Sequence, residues 1–174
     1  MLQEDKAKLK FKDYPTERLV INSISSRLDS EERQVREAIL ADIIRYGKPC
    51  DAQQLEINDI DNLDRIVNKL IAERIIVADE ATNNISFAYP VSAIPTAHKV
   101  EMADGRSFHA MCALDAMGST FTFKQDVRIT SQCVECGETV FIEIIDKKIS
   151  DLQPHSLQLL HADLSVSDNW AGSC

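Results

Sequence analysis

The sequence has no run approaching the roughly 20 apolar residues that span a bilayer. Its amino terminus, MLQEDKAKLKFKDYPTERLV, lacks the apolar core of a secretion signal. Both absences point to a cytoplasmic protein with no membrane partner. Positive charge is also short, with 19 Lys and Arg against 28 Asp and Glu and a net charge of −9. Affinity for nucleic acid is built largely from lysine and arginine meeting phosphates, so DNA is not an expected partner. Internal repeats and low-complexity segments are missing too. Five cysteines, an odd number, in a reducing compartment point to thiol chemistry or metal ligation rather than a disulfide framework. The 174 residues, 44% hydrophobic, suffice for one large domain or two small ones.

Residues 1–29 read as an amino-terminal extension, mixed in charge and interrupted by Pro15. From LDSEERQVREAILADIIRYG the pattern sharpens. Asp29 or Ser30 can cap a helix, Glu31 and Glu32 suit its positive end, and Val35, Ile39, Ile43 and Tyr46 recur on one face up to Gly47. KPCDAQQLEI fits a short second helix. DNLDRIVNKLIAERI fits a third, with Leu63, Ile66, Val67 and Leu70 at helical spacing. The β-rich pieces IIVAD and ISFAY, joined by EATNN, predict a hairpin. Residues 30–90 therefore read as a winged-helix-like helical domain. Its candidate recognition segment sets Asp59, Asp61 and Asp64 against Arg65 and Lys69, which repels phosphate and favours a packing or lid role.

Beyond Pro90 and Pro95 the character changes. AHKVEM and RSFHAM flank an Asp-Gly turn signal, CALDAMGSTF predicts a short helix, and DVRITS, TVFIEII and SLQLLHADL predict strands. Residues 91–174 thus form a small mixed α/β domain, and the fold class of the whole is α+β.

The chemistry concentrates in SFHAMCALDAMG. A helix opening at Cys112 places that thiol at the positive end of the helix dipole, which favours thiolate. Asp115 lies one turn on, facing the same side. A carboxyl group in so apolar a segment tends towards a raised pKa, so it can take a thiol proton and later give it up. The plain alternative is a small buried cysteine and a capping aspartate. SQCVECGETV places Cys133 and Cys136 as Cys-x-x-Cys, half of a zinc site, a pair of turn cysteines or a dithiol redox pair. Cys174 ends the chain beside Trp170, the only tryptophan, and Cys50 reads as a packing residue. His98, His109, His155 and His161 share no spacing and read as structural or supporting, with His98 and His109 able to face each other across a hairpin.

Together, IPTAHKVEMADGRSFHAMCALDAMG, RITSQCVECGETV and NWAGSC resemble the organomercurial (alkylmercury) lyase family, most specifically at CALD. That resemblance implies a winged-helix-like domain followed by a mixed α/β catalytic domain, the order read above. It implies protonolysis of a carbon–mercury bond to a hydrocarbon and mercuric ion. Cys112 would take the mercury, Asp115 would move the proton, and Cys174, by position, would be the second catalytic thiol. No cofactor is implied; external thiols would release Hg(II), with thiol carriers or a mercuric reductase as acceptors. Cys133 transfers from the family as a structural residue. Cys136 departs from the pattern and offers, with Cys133, an additional soft-metal ligand. The family continues past its second catalytic cysteine, so a catalytic domain shortened at its carboxyl end is expected. The competing readings are a soft-metal (Hg or Zn) responsive winged-helix regulator and a non-catalytic metal-binding protein. Phe108, Met111, Met117 and Phe121 are the expected walls of the substrate pocket.

Overall fold

The computed structural model of the chain describes residues 24–159, and Cys174, Trp170 and His161 lie outside them. A short helix α1, Ile24–Arg27, leads into α2, Ser30–Tyr46. Asp29 is the N-cap of α2 in a reciprocal capping box: its carboxylate accepts the Glu32 N–H at 2.9 Å, and Glu32 accepts the Asp29 N–H at 3.1 Å. Gly47, at φ 62°, ends the helix in the left-handed conformation that lacks a steric cost only for glycine. Val35, Ile39 and Ile43 face the core. Tyr46 does not: it is exposed, with the cations of Arg45 and Lys48 over its ring.

KPCDAQQLEI yields only a 3-10 turn, Ala52–Gln54, rather than a helix. Cys50 is held by paired backbone bonds to Ile85, and the Asp51 side chain accepts the Gln53 N–H, so the segment is tied to a strand before a helix can propagate. Helix α3, Leu63–Ala72, follows with Ile66 and Leu70 fully buried. It packs on α2, where Lys69 pairs with the buried carboxylate of Glu32.

Among the described residues, eight strands then form one antiparallel sheet. They are β1 Ile76–Ala78, β2 Ile85–Ala88, β3 Val91–Ser92, β4 His98–Met102, β5 Ser107–Ala110, β6 Val127–Gln132, β7 Thr139–Ile145 and β8 Lys148–Gln153. Their order in space is β1-β2-β3-β5-β4-β6-β7-β8. The result is a mixed α+β architecture. One buried cluster runs from Val35 and Ile39 through Ile85 and Val91 to Ile129 and Ile142, so helices and sheet share a core. Arg36 fastens α2 to the sheet by donating to the Tyr89 carbonyl.

The alternation of VRITSQ is realised in β6, whose Val127, Ile129 and Ser131 are buried while Arg128, Thr130 and Gln132 are exposed. Of the expected strand SLQLLHADL, residues 157–159 have no regular structure and residues 160–164 lie outside the described range; β8 is the last strand among the described residues. Asp146 and Lys147, both at positive φ, reverse the chain straight after β7 and lay KISDLQ beside it.

Helix α4, Ala113–Phe123, packs on β4, β5 and β6, burying Ala116, Ser119 and Thr120. Phe108 of β5 meets Phe123 at its far end, with ring centroids 5.4 Å apart. The helix is thereby held at both ends, since its first turn grows directly out of β5.

Candidate active site

Cys112 is the N-cap of α4, in extended backbone geometry, at the point where β5 gives way to the helix. An N-cap side chain is directed towards the free N–H groups of the first turn. Here a sulfur fills that role: the Asp115 N–H points to Cys112 Sγ at 3.5 Å. In return the thiol donates to Asp115 Oδ2 at 3.2 Å. The two side chains therefore form a closed local unit in which a proton has a direct path from sulfur to carboxylate.

Burial sets the acidity of that acceptor. Removal from water pushes the Asp115 carboxyl up to about 6, against the opposing effect of its two hydrogen bonds with Cys112. Cys112 itself is 9% exposed. Met111 is buried beside it, Met117 is half-buried one turn along the helix, and Phe108 is buried in the core. Phe121 is 60% exposed and projects away from the core, so it is not a wall of a closed pocket among the described residues.

The histidines separate rather than face one another. Lys99, not His98, is opposite His109 in the β4–β5 register, so the two rings lie on opposite sheet faces. His98 Nδ1 shares a hydrogen bond with Ser131 Oγ at 2.9 Å, and burial lowers its pKa, favouring the neutral ring. His109 Nδ1 instead meets the backbone of Thr96. The alternation signal alone, read across adjacent strands, would separate the two rings once the register is known.

Cys133 follows β6 and Cys136 sits in the turn before β7. The Cys133 N–H donates to the Glu138 carbonyl at 2.9 Å, and the Gly137 N–H donates to the Cys133 carbonyl at 2.8 Å, with Gly137 at φ 71°. Cys136 is exposed, and Cys133 is half-buried. None of the four described cysteines is in a disulfide. Among the described residues no group of three or more His, Cys, Asp or Glu converges as a metal site. Cys50 is fully buried, and burial, with Asp42 and Asp51 nearby, pushes its thiol up to about 12. It is an inert packing thiol.

Two clefts lie elsewhere. One of about 460 Å³ lies at the opposite end of the sheet, by Met102, Asp126 and Ile145. Another, of about 570 Å³, lies between Asp42, Tyr46 and Asn84. Neither contains a thiol paired with a carboxylate, and the Cys112 and Asp115 unit is the stronger candidate on chemical grounds. No described helix is long and apolar enough to cross a membrane.

Residues 91–173 match the family model described as MerB: Alkylmercury lyase. Among solved structures, the chain is similar to the mercury-bound form of MerB2, with a TM-score of 0.55 and 26% sequence identity. That match covers 75% of this chain and 64% of the MerB2 chain, so this chain spans less than two thirds of that protein. None of the curated proteins compared with the chain matches it.

Proposed function

We propose that this protein, whose residues 91–173 match the alkylmercury lyase family model, is an organomercurial lyase that breaks carbon–mercury bonds by protonolysis. The observation that carries the reading is the Cys112 thiol donating to Asp115 Oδ2 at 3.2 Å, with the carboxyl raised to about 6.

In the proposed reaction Cys112 passes its proton to Asp115, and its thiolate displaces the weakly held ligand of an organomercurial. The second thiol, assigned to Cys174 by the resemblance, adds to the same mercury as its proton passes to the displaced ligand or to solvent. Two soft sulfur donors weaken the carbon–mercury bond. Asp115 then returns its proton to carbon, the hydrocarbon leaves, and Hg(II) stays bonded to sulfur. A carboxyl with a pKa near 6 suits both halves of that transfer, since it is mostly ionised at neutral pH yet acidic enough to donate to a carbanion-like centre. No electron changes hands and no cofactor enters. External thiols would remove the metal by exchange, with thiol carriers or a mercuric reductase as acceptors in the cytoplasm.

The proposal includes a division of the chain into an extension at 1–29, a winged-helix-like module at 30–90 and a catalytic domain at 91–174. The succession of α2, α3 and the β1–β2 hairpin supports the middle assignment. Its third helix directs Lys69 to Glu32 and sets Arg65 3.8 Å from Glu31, which supports a packing role over phosphate contact.

The test is headspace detection of methane or benzene from methylmercury or phenylmercury in excess free thiol. Hydrocarbon release that disappears in Cys112→Ser supports the lyase. Release that persists in that variant, or none from the unaltered chain, overturns it.

A further inference from the structure

The Cys133 and Cys136 pair plays no part in the protonolysis, yet the sheet brings it to the same end as Cys112. In β4, His98 is opposite Ser131 of β6. On its other side, the register that pairs Lys99 with His109 sets His98 beside Ala110 of β5. The Thr96 hydroxyl fixes that end by donating to the Ala110 carbonyl at 2.6 Å. Cys112 is two residues past Ala110, and Cys133 is two residues past Ser131. With neighbouring strands about 4.8 Å apart, Ala110 and Ser131 are separated by about 10 Å, with only β4 between them.

The turn holding the second pair is built to present sulfur. The Cys133 backbone is tied at both its N–H and its carbonyl, so its position follows that of β6 and β7. The Cys133 thiol is met by the N–H groups of Cys136 and Glu135 and by the Cys136 thiol, so the two sulfurs are neighbours in the turn. Cys136 and Val134 at the tip are open to solvent. Zinc prefers four ligands, and no third described donor converges here. Mercuric ion, soft and satisfied by two thiolates in a line, needs no more than the pair supplies.

We propose that Cys133 and Cys136 form a second thiol site that takes Hg(II) from the Cys112 site and hands it to external thiols. This rests on the lyase reading for its source of mercury, but the binding site itself does not. On capture two Hg–S bonds form at Cys133 and Cys136 as two break at the donor; on release those two break as two form to external thiols. The protons of the entering thiols pass to the departing thiolates, and mercury remains Hg(II) throughout.

Two measurements on the full chain with mercuric chloride test the site. In the Cys112→Ser/Cys174→Ser background, dialysis against a small monothiol is expected to leave one mercury per chain. Adding Cys136→Ser should weaken that retention by about a hundredfold, because a chelating pair becomes a single thiol. Cys50→Ala in the same background controls for the remaining cysteine and should change nothing. Retention unaffected by Cys136→Ser, or absent in the starting background, overturns the site. In the chain with all its cysteines, loaded with one equivalent of mercury, Cys136→Ser should slow transfer to the monothiol about tenfold. Equal transfer rates overturn the hand-off. Neither measurement reads hydrocarbon, so a chain that holds mercury at this pair but releases none would refute the lyase and leave the site standing.

Discussion

Cys112 and Asp115 are bonded in both directions, thiol to carboxylate at 3.2 Å and backbone N–H to sulfur at 3.5 Å. The helix start positions the sulfur, and the first helical turn positions the carboxylate against it. Because the proton donor and its acceptor are separate side chains, their roles are open to single substitutions.

Asp115→Asn keeps the size and the backbone bond but cannot accept the thiol proton. Hydrocarbon release from phenylmercury should fall by about 100-fold or more, the usual scale for losing a general acid–base group. Mercury binding at Cys112, followed by the ultraviolet absorption of the mercury–thiolate bond, should persist. A loss of binding equal to the loss of release would assign Asp115 to metal ligation instead.

The acid limb of activity should follow the same carboxyl. Below about 6 Asp115 is protonated and cannot take up the Cys112 proton. The kcat/KM for methylmercury should therefore fall about tenfold per pH unit below that value. The limb should be missing from the residual activity of Asp115→Asn. A limb at the ordinary carboxylate pH would contradict the burial of the group.

Burial of Asp115 also has a consequence for stability. Its pKa is raised from 3.8 to about 6 on folding, so the folded chain binds the proton more tightly than the unfolded one. Below 3.8 both states are protonated and nothing is lost. Between there and about 6 the unfolded state ionises first, and stability falls as pH rises; above about 6 the loss is complete. Asp115→Asn should thus stabilise the chain by on the order of 3 kcal/mol at pH 7.5, and by little at pH 4. Urea midpoints at the two pH values measure the difference, and an equal change at both would exclude this origin.

Thiol reactivity should separate by location. Cys50 is fully buried with its thiol pushed up to about 12. Iodoacetamide at pH 8 should leave it unmodified in the folded chain while labelling Cys136, which is exposed. Peptide mass mapping reads both. Labelling of Cys50 at the rate of Cys136 would show that the contact between Cys50 and Ile85 opens readily.

Much of the fold was legible because its signals are local. Asp29 and Glu32 are three residues apart, so the capping box is visible before any packing is known. The alternation of VRITSQ marks a half-buried strand within six residues. KISDLQ was illegible as a strand because β8 lies at the sheet edge, held by backbone bonds to β7 with most of its side chains exposed. KPCDAQQLEI looked helical because nothing in its composition reveals that Cys50 is bonded to Ile85, 35 positions away.

The amino-acid sequence by itself determined the helix that opens at Cys112 and the placing of Asp115 one turn later. Both follow from the backbone geometry of adjacent residues. Tertiary structure decided how dry that carboxyl is, because desolvation comes from whatever packs around α4 and not from the residues beside Asp115 in the chain. It also decided that His98 and His109 point apart and that Cys112 and Cys133 leave the same end of the sheet. Those relations depend on strand order and register, which place β4 between β5 and β6, and a one-residue shift would reverse every side chain involved.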